Sequence, residues 1–555
     1  MTRFHNISTL CILFVFFTCN AFLPAQKTPP PPRVPKETTV CVYVNDFKKI
    51  IRQVANYSIV DTLIRMDKPG AAPSATSSAV EEILSNPLAQ LATGNILLGS
   101  TRAPVQAALN KKGVFLVIGI QANAKAKITE LINAHETMGT LQRVHNPELE
   151  KQGIETVQNK KNNQRIYYFF SSSSLVVSIA PQTAQHMKSL SESPEKGKAL
   201  FPRTPSDISI SLSQDFFKSL PLRMLLNGKL KNPVIRYLAS RAKIILESIR
   251  TTDLTLDFNQ AIDFKADIEF TDGSKGLTIA QTLQMNELPV EVSALAADSA
   301  FHVSMNLDVG KILSNPALET LINNHEKIRQ IIRPYTGFNS LDKSILRNFG
   351  PNVSLIISPG TADDLNTLEA TLFFQTRETE LARTEIQTAL TLITGLIQTA
   401  AIDNKGVSVV HPFKVKESRG VSIDFLKLMK PEQQENQLLK SKKLYTILMP
   451  RGLIISTSGN LLQHRLLSAA PASASAPLRW TAHLDFTRLS RFLSANMQHL
   501  IKSGKKENKS PEKKKQELRR LIRLMNDLET FHATETMDKL RLERNASLKL
   551  KMNDR

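Results

Sequence analysis

Val40-Cys41-Val42-Tyr43-Val44-Asn45-Asp46-Phe47-Lys48-Lys49 is the stretch from which the fold can be read. An apolar, β-branched run leads into an Asp, an aromatic residue and then basic residues, and a helical pattern follows. The phrase recurs three times: Asp215-Phe216-Phe217-Lys218 after the run 208–212, Asp308-Val309-Gly310-Lys311 after 301–307, and Asp485-Phe486-Thr487-Arg488 after 480–484. Each copy predicts a strand handing over to a helix, with the Asp carboxylate accepting N–H groups of the first turn. Four carboxylates could instead form a ligand set, but capping explains their position and their repetition together. The basic residue three positions on is then expected on the solvent side of the first turn.

Working outward, the phrase opens four modules. Module A, residues 39–195, adds a helix at 79–91, a buried strand at 113–120, an Ala/Lys-rich helix to about His135, and a hairpin of 166–170 with 175–179. A helix carrying Gln185 and His186 closes it. Module B, 205–284, adds a helix at 233–249 and a hairpin of 254–258 with 262–270. There Leu254, Leu256 and Phe258 alternate with Thr255 and Asp257, the period of a sheet with one wet face. The pattern then starts over. Residues 298–470 repeat module A, with strands at 353–357 and 368–374, a helix at 378–397, a hairpin of 443–448 with 453–457, and a helix with Gln463 and His464. Residues 476–555 repeat module B and close on another hairpin, in which Leu540, Leu542, Leu548 and Leu550 alternate with basic residues. Leu175-Val176-Val177-Ser178 and Leu453-Ile454-Ile455-Ser456 are each followed, seven residues after the Ser, by a Gln-His pair. The chain thus reads as a tandem duplication offset by about 260–275 residues. The fold class is α+β, with tandem modules of antiparallel sheet and helices packed on one face, inside the concavity of a curved sheet.

Composition bounds the partners. The 555 residues suffice for two to four domains, and the net charge of +21 favours an acidic partner. Part of that charge is concentrated in the segment 502–523, where ten basic residues face three acidic ones. Lys505, Lys506, Lys509, Lys513, Lys514, Lys515, Arg519 and Arg520 are the candidate contacts for an anionic partner. A solvated loop running into a helix with a wet basic face is the plainer account of the same charges. Nucleic acid is disfavoured, because the few aromatics are mostly Phe on apolar strand faces rather than interleaved with basic residues.

The N-terminus reads as a signal peptide, residues 1–25. Arg3 and His5 precede an apolar run to Phe17, and small residues reach Ala21 and Ala25. A minority reading acylates Cys19 as a lipid anchor. The Pro-rich stretch 26–38 follows as a stiff spacer. No later run is apolar enough to span a membrane, so the mature chain is expected to be exported, periplasmic or extracellular, with no transmembrane helix. Cys41 is the one cysteine in the body and is expected to be a buried strand residue, which leaves no Cys-based metal site.

Reactive motifs are missing. The sequence holds no phosphate-binding glycine loop, no Gly-x-Ser-x-Gly, no His-Glu-x-x-His and no Cys-x-x-Cys. His186 and His464 occupy matching places but have no further ligands at a telling spacing, and His135, His145, His302 and His411 are scattered. No cofactor is expected. Asn56, Asn352 and Asn545 head Asn-x-Ser sequons, relevant only to eukaryotic export.

The phrase in its form Val303-Ser304-Met305-Asn306-Leu307-Asp308-Val309-Gly310-Lys311, running on to Leu318, resembles uncharacterised extracytoplasmic bacterial proteins built from strand–helix domains of unknown function. The resemblance covers most of the body after about residue 38. It implies an exported α+β protein and carries no catalytic residues across.

The expectation is therefore a non-enzymatic binding or scaffolding protein of the cell envelope, meeting an envelope protein, a cell-wall polymer or an anionic lipid surface. One alternative is a periplasmic carrier of lipid or another apolar ligand in a sheet–helix cavity. Another is a hydrolase assembled from distant residues.

Overall fold

The computed structural model describes residues 33–67, 81, 84–86, 90–101, 113–194, 197, 206–219, 242–281, 285–307, 345–359, 368–377, 379–405, 407–424, 427, 443–468, 477–498, 501 and 511–552. The chain divides into two compact units. One comprises 1–277, 540–543 and 550–555; the other comprises 278–539 and 544–549.

The first unit opens with β1 (Val40–Val44), α1 (Phe47–Ala55), α2 (Ser58–Asp67), β2 (Ala92–Ser100), β3 (Val114–Ile120) and α3 (Ala124–Thr137). There follow β4 (Leu141–Arg143), α4 (Pro147–Lys151), β5 (Glu155–Asn159), β6 (Gln164–Phe170), β7 (Ser174–Ser178) and α5 (Pro181–Glu192). Then come β8 (Ile208–Ser213), α6 (Gln214–Ser219), β9 (Ile249–Phe258) and β10 (Ala261–Phe270), with α7 (Lys275–Ala280) at the division. Its strands lie in the order β4-β5-β6-β7-β3-β2-β1-β8-β9-β10, every neighbour antiparallel.

The second unit contains α8 (Val290–Ala296), β11 (Phe301–Asn306), β12 (Phe349–Pro359), β13 (Leu368–Thr376), α9 (Glu380–Lys405), β14 (Val410–Val415) and β15 (Ser418–Asp424). It continues with β16 (Lys443–Met449), β17 (Gly452–Ser456), α10 (Gly459–Ser468), β18 (Trp480–Asp485), α11 (Phe486–Ala495), α12 (Pro511–Asp527) and β19 (Leu528–Asp538); β20 (Arg541–Leu550), which forms the closing hairpin with β19, has residues assigned to each unit. Its order is β14-β15-β16-β17-β13-β12-β11-β18-β19, again antiparallel throughout. The α+β class follows from both units.

Helices cover both faces of the sheet, not one. In the first unit Val44, Ile96 and Ile118 pack with Phe47 and Ile50 of α1 and Ala124 and Ile128 of α3. Tyr43, Leu97 and Val117, their strand neighbours on the opposite face, pack with Ala184, Met187 and Leu190 of α5. In the second unit Phe373 and Ile454 join α8 and α10, whereas Phe374 and Ile455 join Ile386 of α9. The reason is compositional: central strands such as Val114–Ile120 are apolar at nearly every position, so both of their faces must leave water. The expected wet face of β9 is likewise not realised, since Leu254 to Phe258 are all half-buried.

The repeated phrase caps its helix at two of its three described occurrences. Asp46 accepts from Lys49 N at 3.2 Å, and Asp485 accepts from Arg488 N at 2.9 Å. Asp46 does so from the left-handed region at φ 51, against Gly94 at φ 109. A Cβ on Gly94 would lie 3.0 Å from Asp46 Oδ1 and 3.2 Å from its Cα, so the approach depends on the glycine. Asp215 sits inside the first turn of α6 rather than capping it, and Asp308 lies outside the described residues. Of the following basic residues Lys49 and Lys218 are exposed, as expected, whereas Arg488 is half-buried, and two of the three are paired. Lys49 pairs with buried Asp207 at 2.9 Å, and Arg488 pairs with Asp298 and Asp485, each at 3.2 Å.

Five strands had no sequence signal, the three-residue β4 among them. β2 is broken by Gly94 and Asn95, β5 is polar, and β14 and β15 carry His, Pro and charges where alternation would have marked them. Helix α10 begins at Gly459, and its Leu461 N is capped by Ser458 Oγ at 3.1 Å.

Candidate functional site

The basic segment is the site the sequence singles out, and its described part is α12. Pro at the first position and a run of Glu, Lys, Gln and Arg favour a helix here. Ile522 and Met525 are buried, and α11 and β19 pack against this helix. Lys513, Arg519, Arg520 and Arg523 are exposed on the other side, while Lys514 and Lys515 are half-buried on its flanks. Of the candidate contacts, Lys505, Lys506 and Lys509 lie outside the described residues. The placement of the lysines is electrostatically adverse. Lys513 and Lys514 stand beside Glu512 in the first turn and Lys515 follows it, at the positive end of the helix dipole, where acidic residues are the stabilising ones.

A second constellation escaped the sequence reading. His302 of β11 lies opposite His483 of β18, and His483 lies opposite His532 of β19. Three imidazoles therefore share one face of three adjacent strands, from buried His302 to exposed His532. The His483 and His532 ring centroids are 6.4 Å apart. Burial, with His483 and His532 adding to it, pushes His302 down to about 4, and burial also lowers His532. His302 Nε2 is buried with no hydrogen-bond partner. Next along the same face, Ser354 Oγ donates to Asn352 Oδ1 at 2.7 Å, and Asn352 Nδ2 donates to Ser304 Oγ and Asn306 Oδ1, both at 2.8 Å. Ser304 and Ser354 share a proton contact at 2.6 Å. This hydroxyl–amide chain is internally satisfied and His302 Nε2 does not join it, so neither serine is activated as a nucleophile.

A buried ion pair adjoins the same strands. Arg479 and Glu535 are 3.0 Å apart with both side chains buried, and Arg544 Nε reaches the other Glu535 oxygen at 2.5 Å. Arg479 also donates to the Ala280 carbonyl. Desolvation lowers the Arg479 pKa and Glu535 opposes the shift. The enclosed Arg479–Glu535 pair orders the strand ends, while Arg544 remains exposed.

The remaining candidates separate. His186 pairs with Glu37 at 2.8 Å, and among the described residues no group of three or more His, Cys, Asp or Glu is placed to hold a metal ion. Cys41 is buried, as a strand residue facing the core. Asn352 is fully buried in the hydroxyl–amide chain, which removes that sequon as an acceptor in the folded protein. Among the described residues no helix is long and apolar enough to cross a membrane. His302, His483 and His532 had a sequence signal only in part, because they fall in expected strands or the closing hairpin, while the register that sets them opposite one another is not local. No family model, curated protein or solved structure matches this chain.

Proposed function

We propose that this chain is an exported, non-catalytic binding or scaffolding protein that meets an anionic partner through the exposed face of α12. The observation that carries the reading is the cluster of Lys513, Lys514 and Lys515 at the positive end of the helix dipole, continued by exposed Arg519, Arg520 and Arg523. Like charge at that end costs helix stability, and an anion seated there relieves the cost. The net charge of +21 adds a long-range attraction of the same sign. Association with a polyanion such as heparin or polyphosphate, followed by calorimetry against salt, is the test. Lys513→Glu with Arg520→Glu is expected to weaken it about tenfold or more at low salt, and unchanged affinity would remove the anionic partner. Export rests on the basic, apolar and small-residue order of residues 1–25, and N-terminal sequencing of the protein recovered from outside the cell would test it.

The same reading includes descent of the two units from one duplicated ancestor. Nine strands of each unit have the same order and the same antiparallel neighbours, counting β4 with β14 through β9 with β19. A local detail supports it. Ser178 Oγ accepts from Ala180 N at 3.2 Å and donates to Ala180 O at 3.1 Å; Ser456 Oγ accepts from Ser458 N at 3.2 Å and donates to Ser458 O at 3.3 Å. Both serines end a strand that leads into the helix bearing Gln-His. An experimental structure in which the two strand sets fail to superpose would end this part of the proposal.

A further inference from the structure

Helix α9 is apolar on two opposite sides. Ala382, Ile386 and Ala401 are buried, and Ile386 packs with Leu448 and Leu453, with Leu390 and Phe374 beside them. On the outward side Leu381 is 65 % exposed, Leu392 63 %, Leu396 71 % and Ile402 52 %. At 100° per residue Leu381 and Leu392 lie on one meridian, and Leu396 and Ile402 fall within about 60° of it. From Ile386 to Ile402 the helix carries no charged residue, in a chain where 22 % of residues are charged. A helix hydrophobic all round is ordinarily covered on every side. This one leaves five large aliphatic side chains exposed, the fifth being Ile393 on its other side.

We infer that the outward face of α9 is a lipid-interface element, lying flat in the headgroup–acyl boundary of an anionic bilayer with Leu381, Leu392, Leu396 and Ile402 inserted. Charge selects this occupant. A second copy of the chain would bring another +21 against the first, whereas an anionic leaflet attracts it. Residues Ile386 to Ile402 hold no acidic group to be repelled by headgroup phosphates. Glu385 and Asp403 flank that stretch about 40° from the Leu381 meridian, Glu385 paired with Arg347 at 3.2 Å. No described helix, α9 included, qualifies to cross the bilayer, so α9 would lie on it. The inference goes beyond the α12 reading by naming the partner as lipid, and rests on it for the sign of the charge.

The test uses the full chain with vesicles of phosphatidylcholine alone and of phosphatidylcholine with a minor fraction of phosphatidylglycerol. The expected result is flotation with the anionic vesicles, reduced about tenfold or more by Leu392→Ser with Leu396→Ser. A Leu396→Trp variant is expected to blue-shift its fluorescence on binding; both changes are at exposed positions, and far-UV circular dichroism checks that the fold is kept. Vesicle binding that ignores the Ser substitutions and leaves the Trp unshifted would overturn insertion while leaving the charge-driven reading of α12 intact. Binding to polyphosphate with none to vesicles would do the same. Loss of a self-associated species on Ser substitution, without vesicle binding, would assign the face to a second copy and overturn the lipid. Binding to neither vesicles nor polyanion would sink both proposals.

Discussion

His302 is the residue whose environment makes the clearest statement about stability. Its folded pKa of about 4 lies below the ordinary 6.5, so the unfolded chain takes up its proton first as the pH falls. The stabilisation is therefore complete above about pH 6.5 and is lost progressively as the pH falls through that value towards 4, at a total of roughly 3 kcal/mol. Urea unfolding between pH 7 and pH 4 is expected to follow that fall, and His302→Val is expected to flatten it. Arg479 and Glu535 make a second statement. Removing one member leaves the other as a buried charge, so Glu535→Gln is expected to cost about 3–5 kcal/mol in the same measurement. Gly94→Ala combines a left-handed backbone with the 3.0 Å approach of Asp46, and a loss of about 1–3 kcal/mol is expected.

Among elements, α12 sets stability against binding. Lys513→Glu places a carboxylate at the positive end of the helix dipole and is expected to raise stability by about 0.3–1 kcal/mol while weakening polyanion binding. A thermal scan and a binding titration on the same variant check both signs, and a loss in each would mean the lysine is structural. The capping Asp485 belongs to α11 in the ordinary way. Asp485→Ala is expected to cost about 1 kcal/mol, with the lost ion pair to Arg488 adding little because Arg488 is partly exposed. The phrase of Asp, aromatic and basic residue was legible as an element boundary because capping is local. Its third function, the ion pair from Lys49 to Asp207, was not, because the partners are 158 residues apart.

For the whole molecule, the net charge of +21 and the double covering of each sheet are the governing facts. Association with any polyanion should weaken steadily as salt is raised through the range where the Debye length falls below about 10 Å. Insensitivity to salt in a titration with anionic vesicles would mean that the contact is apolar and that α9 alone carries it. The hairpins, the long helices and the order of the elements were largely readable, since they depend on periodicity within a few residues of one another. The count of strands was not. β2, β5, β14 and β15 gain their strand character from neighbours on either side rather than from their own composition.

By itself the sequence determined the α+β class, the strand–Asp–helix joints at Asp46 and Asp485, the burial of Cys41 and the basic character of α12. All of these follow from local chemistry: apolar alternation, a carboxylate able to cap, and charge that avoids the core. Tertiary structure alone decided that helices cover both faces of each sheet, that His302, His483 and His532 fall side by side, and that Leu392 and Leu396 face water. The physical reason is register. Which residues become neighbours across strands, and which side of a helix finds a sheet to cover it, depends on partners tens to hundreds of residues away, and those pairings are fixed only when the chain closes on itself.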